Sequence, residues 1–264
     1  MIRMATLSDC EGIQSVHMGT PGPWANMDEC VPWVNKRIER GYYVQIAELD
    51  GQVIGHAEWV ETHDSNGKFF YLCVMQIKEV HRGKGIGRKM VEDGIKVARK
   101  KGCEKVVTVP ENDDTGSEKF YEKCGFVNGR QIKSITLQTR DYGYAQSYTE
   151  IDRVPFEVIR ECRFIFGLSQ ASARHMWEVD NEKPIGDDRV TTTLISDTGD
   201  ALQICSLYSN PLAAWVLCWS NEPKPIFIKD VLTLSKVKGF EKIHIDFFAE
   251  NESFFDEFDG KIEF

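Results

Sequence analysis

The run His81-Arg82-Gly83-Lys84-Gly85-Ile86-Gly87-Arg88-Lys89-Met90 is where this chain could capture an anion. Glycines alternate at 83, 85 and 87, with Arg82, Lys84, Arg88 and Lys89 around them. Before the run, Tyr71 to Ile77 is apolar and reads as a buried strand. After it, Met90, Val91, Ile95, Val97 and Ala98 recur near helical spacing until Gly102. A strand-to-helix turn exposes backbone N–H groups that the helix ladder leaves unused, and the helix dipole adds partial positive charge there. Glycine allows a tight backbone and the close approach of a bulky anion. The chemistry these residues could support is the binding of a pyrophosphate.

Two phosphate loops fail to fit. The Walker pattern G-x-x-x-x-G-K-[ST] is absent, and the dinucleotide fingerprint G-x-G-x-x-G is replaced by G-x-G-x-G. Glu104 lies about 20 residues beyond the turn, where the fingerprint places an acid. It precedes the next apolar strand, Lys105 to Val109, rather than ending one. These mismatches oppose a nucleotide-binding protein. An ordinary tight turn would use glycine in the same way, so the glycines leave both readings open.

The surrounding residues narrow the choice. Arg82-x-x-Gly85-x-Gly87 resembles the R/Q-x-x-G-x-G/A signature of the GNAT acyltransferase superfamily. Ile77 to Arg82 stands where that family often reads V-x-P-x-x-R, with Glu79 at the usual proline. Phe120-Tyr121-Glu122-Lys123-Cys124-Gly125-Phe126 is similar to its f-Y-e-k-x-G-F segment, and Ile2 to Asp9 to its first strand and helix cap. The four matches run in order over residues 1–140.

The resemblance implies an α/β fold on a mixed sheet, and acetyl-CoA as the donor of an acetyl group passed directly to a primary amine of a small molecule or a protein, with no metal. It implies that Met75, Gln76 and Ile77 offer backbone groups to the pantetheine arm. Arg82 and the N–H groups of Gly83, Lys84, Gly85, Ile86, Gly87 and Arg88 would hold the pyrophosphate. The amides of Gln76 and Ile77 would polarise the thioester carbonyl. Tyr121 matches the family's general acid at the sulfur; a core tyrosine beside Phe120 is the alternative. The family's cofactor-touching asparagine lies seven residues before that tyrosine, where this chain has Asp114. Asn112 takes the role if the loop is longer by two.

Acyl transfer to an amine also needs a base for the amine's proton and a donor for the developing oxyanion. Many relatives carry a carboxylate on the strand entering the turn, but Phe69 to Ile77 contains none. His56 and Glu58, on one face of the preceding strand, are the first candidates, followed by Glu79 and Glu61. A water chain could replace any single base. Without turnover, the same turn would serve an acyl-CoA-binding sensor.

The elements that must position these residues follow in order. Ile2 to Ala5 reads as a strand, and Ser8 or Asp9 as the cap of a helix through His17. The breaker-rich loop Gly19 to Met27 carries Trp24 and Met27, which by resemblance are candidates to touch the acceptor; a loop packed on the core is the alternative. A helix from Asp28 to Glu39 ends at Gly41. Tyr42 to Leu49 and Gln52 to Glu61 form a hairpin around Asp50-Gly51. Lys68 to Ile77 is the strand entering the turn, and Ser117 to Lys123 a short helix.

Gly102-Cys103-Glu104-Lys105-Val106 aligns with Gly239-Phe240-Glu241-Lys242-Ile243, each preceded by a lysine-rich helical stretch and followed by an acidic, Phe-led one. Helices are expected over Val154 to Phe166 and Ala171 to Glu178, and strands over Ala201 to Tyr208 and Ala213 to Trp219. The chain therefore reads as a GNAT domain over 1–145 and a second, degenerate GNAT-like domain over 146–264. The same offset carries Arg82, Gly85 and Gly87 onto Trp219, Glu222 and Lys224, in Ser220-Asn221-Glu222-Pro223-Lys224-Pro225. Two prolines remove N–H donors and Glu222 repels phosphate. One cofactor site per chain is expected. The second half would be structural, would shape the acceptor pocket, or would mediate a homodimer.

Composition sets outer limits. The 264 residues suit two modest domains, and 42% hydrophobic content supports a core. A net charge of −9 argues against nucleic acid and fits an amine-bearing acceptor. No apolar run reaches about 20 residues, and the N-terminus lacks a signal-peptide core, so the expectation is a cytoplasmic protein away from membranes. Eight cysteines without a C-x-x-C pair read as reduced and mostly buried.

Overall fold

The computed structural model describes the chain except for residues 19–26, 65–66, 111–114, 153–162, 167–190, 208–209, 221–225 and 264. The described chain forms two compact units that divide after Val127.

In the N-terminal unit five strands lie in the order β1 (Ile2–Met4), β2 (Tyr43–Leu49), β3 (Gln52–Asp64), β4 (Gly67–Ile77) and β5 (Lys105–Thr108). The first four are antiparallel and β5 is parallel to β4. The β2–β3 hairpin turns at Asp50 (φ 50°) and Gly51 (φ 76°), the pair of positive φ values that matches strand twist. Helices α1 (Cys10–Val16) and α2 (Met27–Glu39) precede the hairpin, while α3 (Ile86–Lys100) joins β4 to β5 and α4 (Thr115–Lys123) follows β5. Asp9 starts α1 as expected, but its carboxylate turns back to accept the Thr6 N–H and the Arg3 guanidinium, each at 2.8 Å.

Strand alternation assigns the two faces. Ala57 and Trp59 join Phe70, Leu72, Met90 and Ala98 in a core beneath α3. The helix lies directly on the indole: a Cβ at Gly94 would sit 2.3 Å from Trp59 Cζ2, so only glycine fits there. His56 and Glu58 point to the opposite face, where His17, Trp33 and Arg37 from α1 and α2 meet them.

The second unit carries an eight-stranded sheet in the order β13-β6-β12-β8-β11-β10-β9-β7. Its strands are β6 (Ile132–Gln138), β7 (Tyr148–Ile151), β8 (Arg163–Phe166), β9 (Thr191–Ser196), β10 (Ala201–Ser206), β11 (Ala213–Ser220), β12 (Lys242–Phe248) and β13 (Lys261–Glu263), with α5 (Ile226–Val237) between β11 and β12. Strands β7, β9, β10 and β11 are antiparallel, and β12 runs parallel to β11. That order repeats the order of the first sheet. The alignment of Lys105 with Lys242 sets one parallel strand on the other.

Two expectations are corrected. The break foreseen after residue 145 falls after Val127, because β6 pairs with β12 from Ile132↔Phe248 to Gln138↔Lys242. Its alternate residues Ile135 and Leu137 are buried with Ile243, Ile245 and Phe247. Register with a strand more than a hundred positions away leaves no local mark in the sequence. The helix foreseen through Phe166 is replaced at its end by β8. The rest of that helix, the one over 171–178 and the segment 221–225 lie outside the described residues.

Candidate active site

The parallel ladder between β4 and β5 runs from Phe69↔Lys105 to Leu72↔Thr108 and stops. At the same point β4 carries a bulge: Glu58 opposes Val74 and Trp59 opposes Leu72, so Cys73 is the extra residue. A bulge bends the strand and increases its twist. Beyond it, Val74 to Ile77 stays paired to β3 and has no strand partner on the β5 side among the described residues. Met75 and Ile77 pack against the α3 core, and Gln76 faces the other way, opposite His56.

Strand β4 then enters a 3-10 turn (Glu79–His81) and the glycine turn. Gly83 and Gly85 adopt φ of 73° and 76°, and Gly85 is the left-handed N-cap of α3. A Cβ at either would meet nothing within 4 Å, so open space adjoins the backbone. The ladder begins with the Lys89 N–H on Gly85 C=O at 3.1 Å, which leaves the amides of Ile86, Gly87 and Arg88 ahead of it. Gly87 serves packing instead: its Cβ would come 3.2 Å from Phe120 Cζ. The turn's cations are braced on carbonyls, Arg82 Nε on Ile77 at 2.9 Å, Lys84 Nζ on Val80 at 3.0 Å and Arg88 Nη2 on Lys123 at 2.8 Å. This bracing is a role the sequence did not reveal.

Tyr121 is half-buried between Phe120 and Phe126, with ring centroids at 5.1 and 5.4 Å, and packs on the α3 core. The buried Tyr71 of β4 lies within its electrostatic reach, one residue before the parallel ladder ends. Burial pushes the Tyr71 phenol well above its ordinary range. Asn112, Asp114 and Trp24 lie outside the described residues, and Met27 is exposed at the start of α2.

The four base candidates part company. Glu79 is exposed in the 3-10 turn. Glu61 lies opposite Phe70, seven positions from Ile77, or roughly 23 Å along the strand. Burial opposes its ionisation, but hydrogen bonds from Lys68 (2.9 Å) and Lys101 (3.3 Å) outweigh that and hold its carboxyl low. His56 and Glu58 do come together, with Nε2 and Oε1 3.6 Å apart, yet they are 0% and 1% exposed. His56 Nδ1 meets His17 Nε2 at 2.8 Å. Glu58 accepts the Trp33 indole N–H at 3.1 Å and faces Arg37 Nε at 3.5 Å. The Arg37 guanidinium lies between the Trp33 and Tyr42 rings, 4.0 and 4.3 Å from their centroids. Burial lowers His56 to about 3. Burial, then His56, lowers His17 to about 4 against the opposing pull of Glu58. His17, Trp33 and Arg37 were missed by sequence reasoning. The one available signal is the i, i+4 spacing of Trp33 and Arg37, which puts both on one helix face.

In the second unit the parallel contact between β11 and β12 covers only Ala213↔Lys242 to Trp215↔His244. Where the first unit has no further strand beyond its parallel ladder among the described residues, here β8 is inserted. It pairs with Cys218 to Ser220 of β11 and with Phe247 of β12. Among the described residues no group of His, Cys, Asp and Glu is arranged to hold a metal ion, and no helix is long and apolar enough to cross a membrane.

Residues 15–126 match the acetyltransferase (GNAT) family. The chain is 26% identical over 146 residues to an L-methionine sulfoximine/L-methionine sulfone acetyltransferase of Salmonella typhimurium, covering 52% of this chain and 85% of that one. It is 27% identical over 143 residues to the L-amino acid N-acyltransferase MnaT of Escherichia coli, covering 51% and 83%. Among solved structures, one described as a putative acetyltransferase from Agrobacterium tumefaciens shares 23% identity over 50% of this chain and 95% of its own, with a TM-score of 0.45.

Proposed function

We propose, from the match of residues 15–126 to the acetyltransferase (GNAT) family, that this chain is an enzyme that transfers an acetyl group from acetyl-CoA to the primary amine of a small acceptor, by direct attack. The observation that carries this reading is the open edge of β4. Cys73 to Ile77 lies beyond the end of the β5 ladder and leads straight into the glycine turn and the N-terminus of α3. An extended, amide-bearing pantetheine arm can add to such an edge through main-chain hydrogen bonds. The space beside Gly83 and Gly85 and the unladdered amides of Ile86 to Arg88 fit a pyrophosphate.

When bound, acetyl-CoA supplies the thioester that the amine attacks. The chain's own groups then have these tasks. The backbone of Met75, Gln76 and Ile77 orients the arm, with the Gln76 and Ile77 amides as donors to the thioester oxygen. The turn amides, with Arg82, neutralise phosphate charge. Tyr121 gives its phenolic proton to the departing sulfur. The named activities of the two relatives favour an acceptor of amino-acid type. We read the second unit as a degenerate copy; the pairing of β8 with β11 and β12, at the place that lies open in the first unit among the described residues, supports this reading. The acceptor is taken to be soluble and the location cytoplasmic.

Calorimetric titration with acetyl-CoA tests the reading, with NAD and ATP as controls. One selective site per chain is expected, and Gly85→Asp should abolish it. Aspartate at φ 76° is strained and sets a negative charge where phosphate would lie. Normal binding by Gly85→Asp refutes the cradle. Binding without acetylation of any amine would mark an acyl-CoA sensor.

A further inference from the structure

The way α4 ends sets Tyr121 in place, and that end is tied to the glycine turn. Gly125 takes a φ of 91°, so the helix closes on a left-handed residue. The Phe126 N–H reaches back to the Tyr121 carbonyl at 3.1 Å, and the Gly125 N–H to the Glu122 carbonyl at 2.9 Å. These are the two bonds of a Schellman closure. The apolar contact that accompanies such a closure is the Phe126 ring against the Tyr121 ring, with centroids 5.4 Å apart. Backbone and ring of Tyr121 are thus held by the same short segment. The Lys123 carbonyl lies outside both bonds and accepts the Arg88 guanidinium at 2.8 Å.

Arg88 belongs to the first turn of α3, whose amides at Ile86, Gly87 and Arg88 precede the helix ladder. At residues 87 and 88 the backbone therefore keeps donors for a phosphate, while the rest of each residue meets α4. Gly87 lies against the Phe120 ring, where a Cβ would come 3.2 Å from Cζ, and the Arg88 side chain runs to Lys123. A cation at the C-terminal end of α4 complements the negative end of its dipole. The other titratable groups around this guanidinium are Glu92, 3.6 Å away on the same face of α3, and Cys124. A guanidinium that meets a carbonyl and a carboxylate has its charge already compensated. We propose that the Arg88 side chain is a positioning residue for Tyr121 and not a phosphate ligand. It holds the end of α4 against the glycine turn so that the phenol meets the departing sulfur; this rests on the acetyl-transfer reading. Pyrophosphate that orders the turn then orders α4 through the same two contacts.

The test uses the full chain with acetyl-CoA, and as amines the proteinogenic L-amino acids and L-methionine sulfone. Arg88→Ala should lower kcat about fivefold and leave KM for acetyl-CoA within a factor of about two. The loss is modest because the side chain is 60% exposed, which weakens its hydrogen bond. Arg88→Lys can still donate to the Lys123 carbonyl and should recover most of the loss. In a Tyr121→Phe background Arg88→Ala should cost no further kcat, for no phenolic proton remains to be positioned. A rise in KM with kcat held would assign the side chain to the phosphate. A loss that persists in the Tyr121→Phe background would assign it to the fold at large. Either result overturns the positioning role. Hydrogen exchange gives a second readout that needs no turnover. Acetyl-CoA should slow exchange in peptides covering 82–90 and 115–126 of the wild type, and only in the first of these in Arg88→Ala. Equal slowing of 115–126 in both proteins overturns the coupling. A wild type that binds acetyl-CoA but acetylates no amine removes the acetyl-transfer reading and the task of Tyr121 with it. A wild type that turns over no faster than Arg88→Ala removes the positioning role alone.

Discussion

The buried histidine pair makes the stability of the N-terminal unit depend on pH in a calculable way. Unfolded imidazoles titrate near 6.5, whereas burial holds His17 at about 4 and His56 at about 3 in the folded chain. The folded values are depressed, so the unfolded chain binds protons first. Stability is therefore complete above about pH 6.5 and falls as pH drops below it, until the folded values are reached near 4 and 3. At 1.36 kcal/mol per pH unit, the 1.5 units between 6.5 and 5 cost about 2 kcal/mol for each histidine, or about 4 kcal/mol for the pair. Carboxylates with depressed values, such as Asp9 at about 2, lose their contribution only below about pH 4, outside this window. The assay is urea denaturation at pH 7, 6 and 5, read by hydrogen exchange in peptides from β2 to β4. The wild type should lose about 4 kcal/mol more than the His17→Gln/His56→Gln double variant over that range. Parallel losses in the two proteins would refute the assignment of two buried neutral imidazoles.

Two further outcomes follow from the geometry. Tyr121→Phe keeps both aromatic contacts of the ring, so acetyl-CoA affinity measured by calorimetry should stay within a factor of about two, while kcat falls by about 10²-fold or more through loss of the phenolic proton. Separate expression of 128–264 and 146–264 distinguishes the two possible boundaries. The longer fragment keeps β6 between β12 and β13 and should show a cooperative thermal transition, and the shorter, lacking that strand, should show none.

Local signals in this chain were strong where residue type alone constrains the backbone. Asp50-Gly51 foretold a hairpin, and the glycines at 83 and 85 a turn, because few residues tolerate positive φ. The alternation and periodicity of β4, α3 and β5 located the strand, helix and strand around that turn. In the internal alignment Lys105 stands against Lys242, and each begins a strand that the structure pairs parallel to an earlier one.

What only the tertiary structure decided was long-range. The insertion of β6 into the second sheet and of β8 between β11 and β12 depends on register between distant strands, and β8 lies where the sequence pattern read as a helix. Residue spacing put His56 and Glu58 on one face, but only the packing of α1 and α2 on that face buried them and supplied His17, Trp33 and Arg37. Likewise, the sequence by itself determined that a glycine turn opens α3 and where it lies. The open edge of β4 beside it required the bulge at Cys73 and the early end of the β5 ladder, which are relations between strands rather than properties of either one.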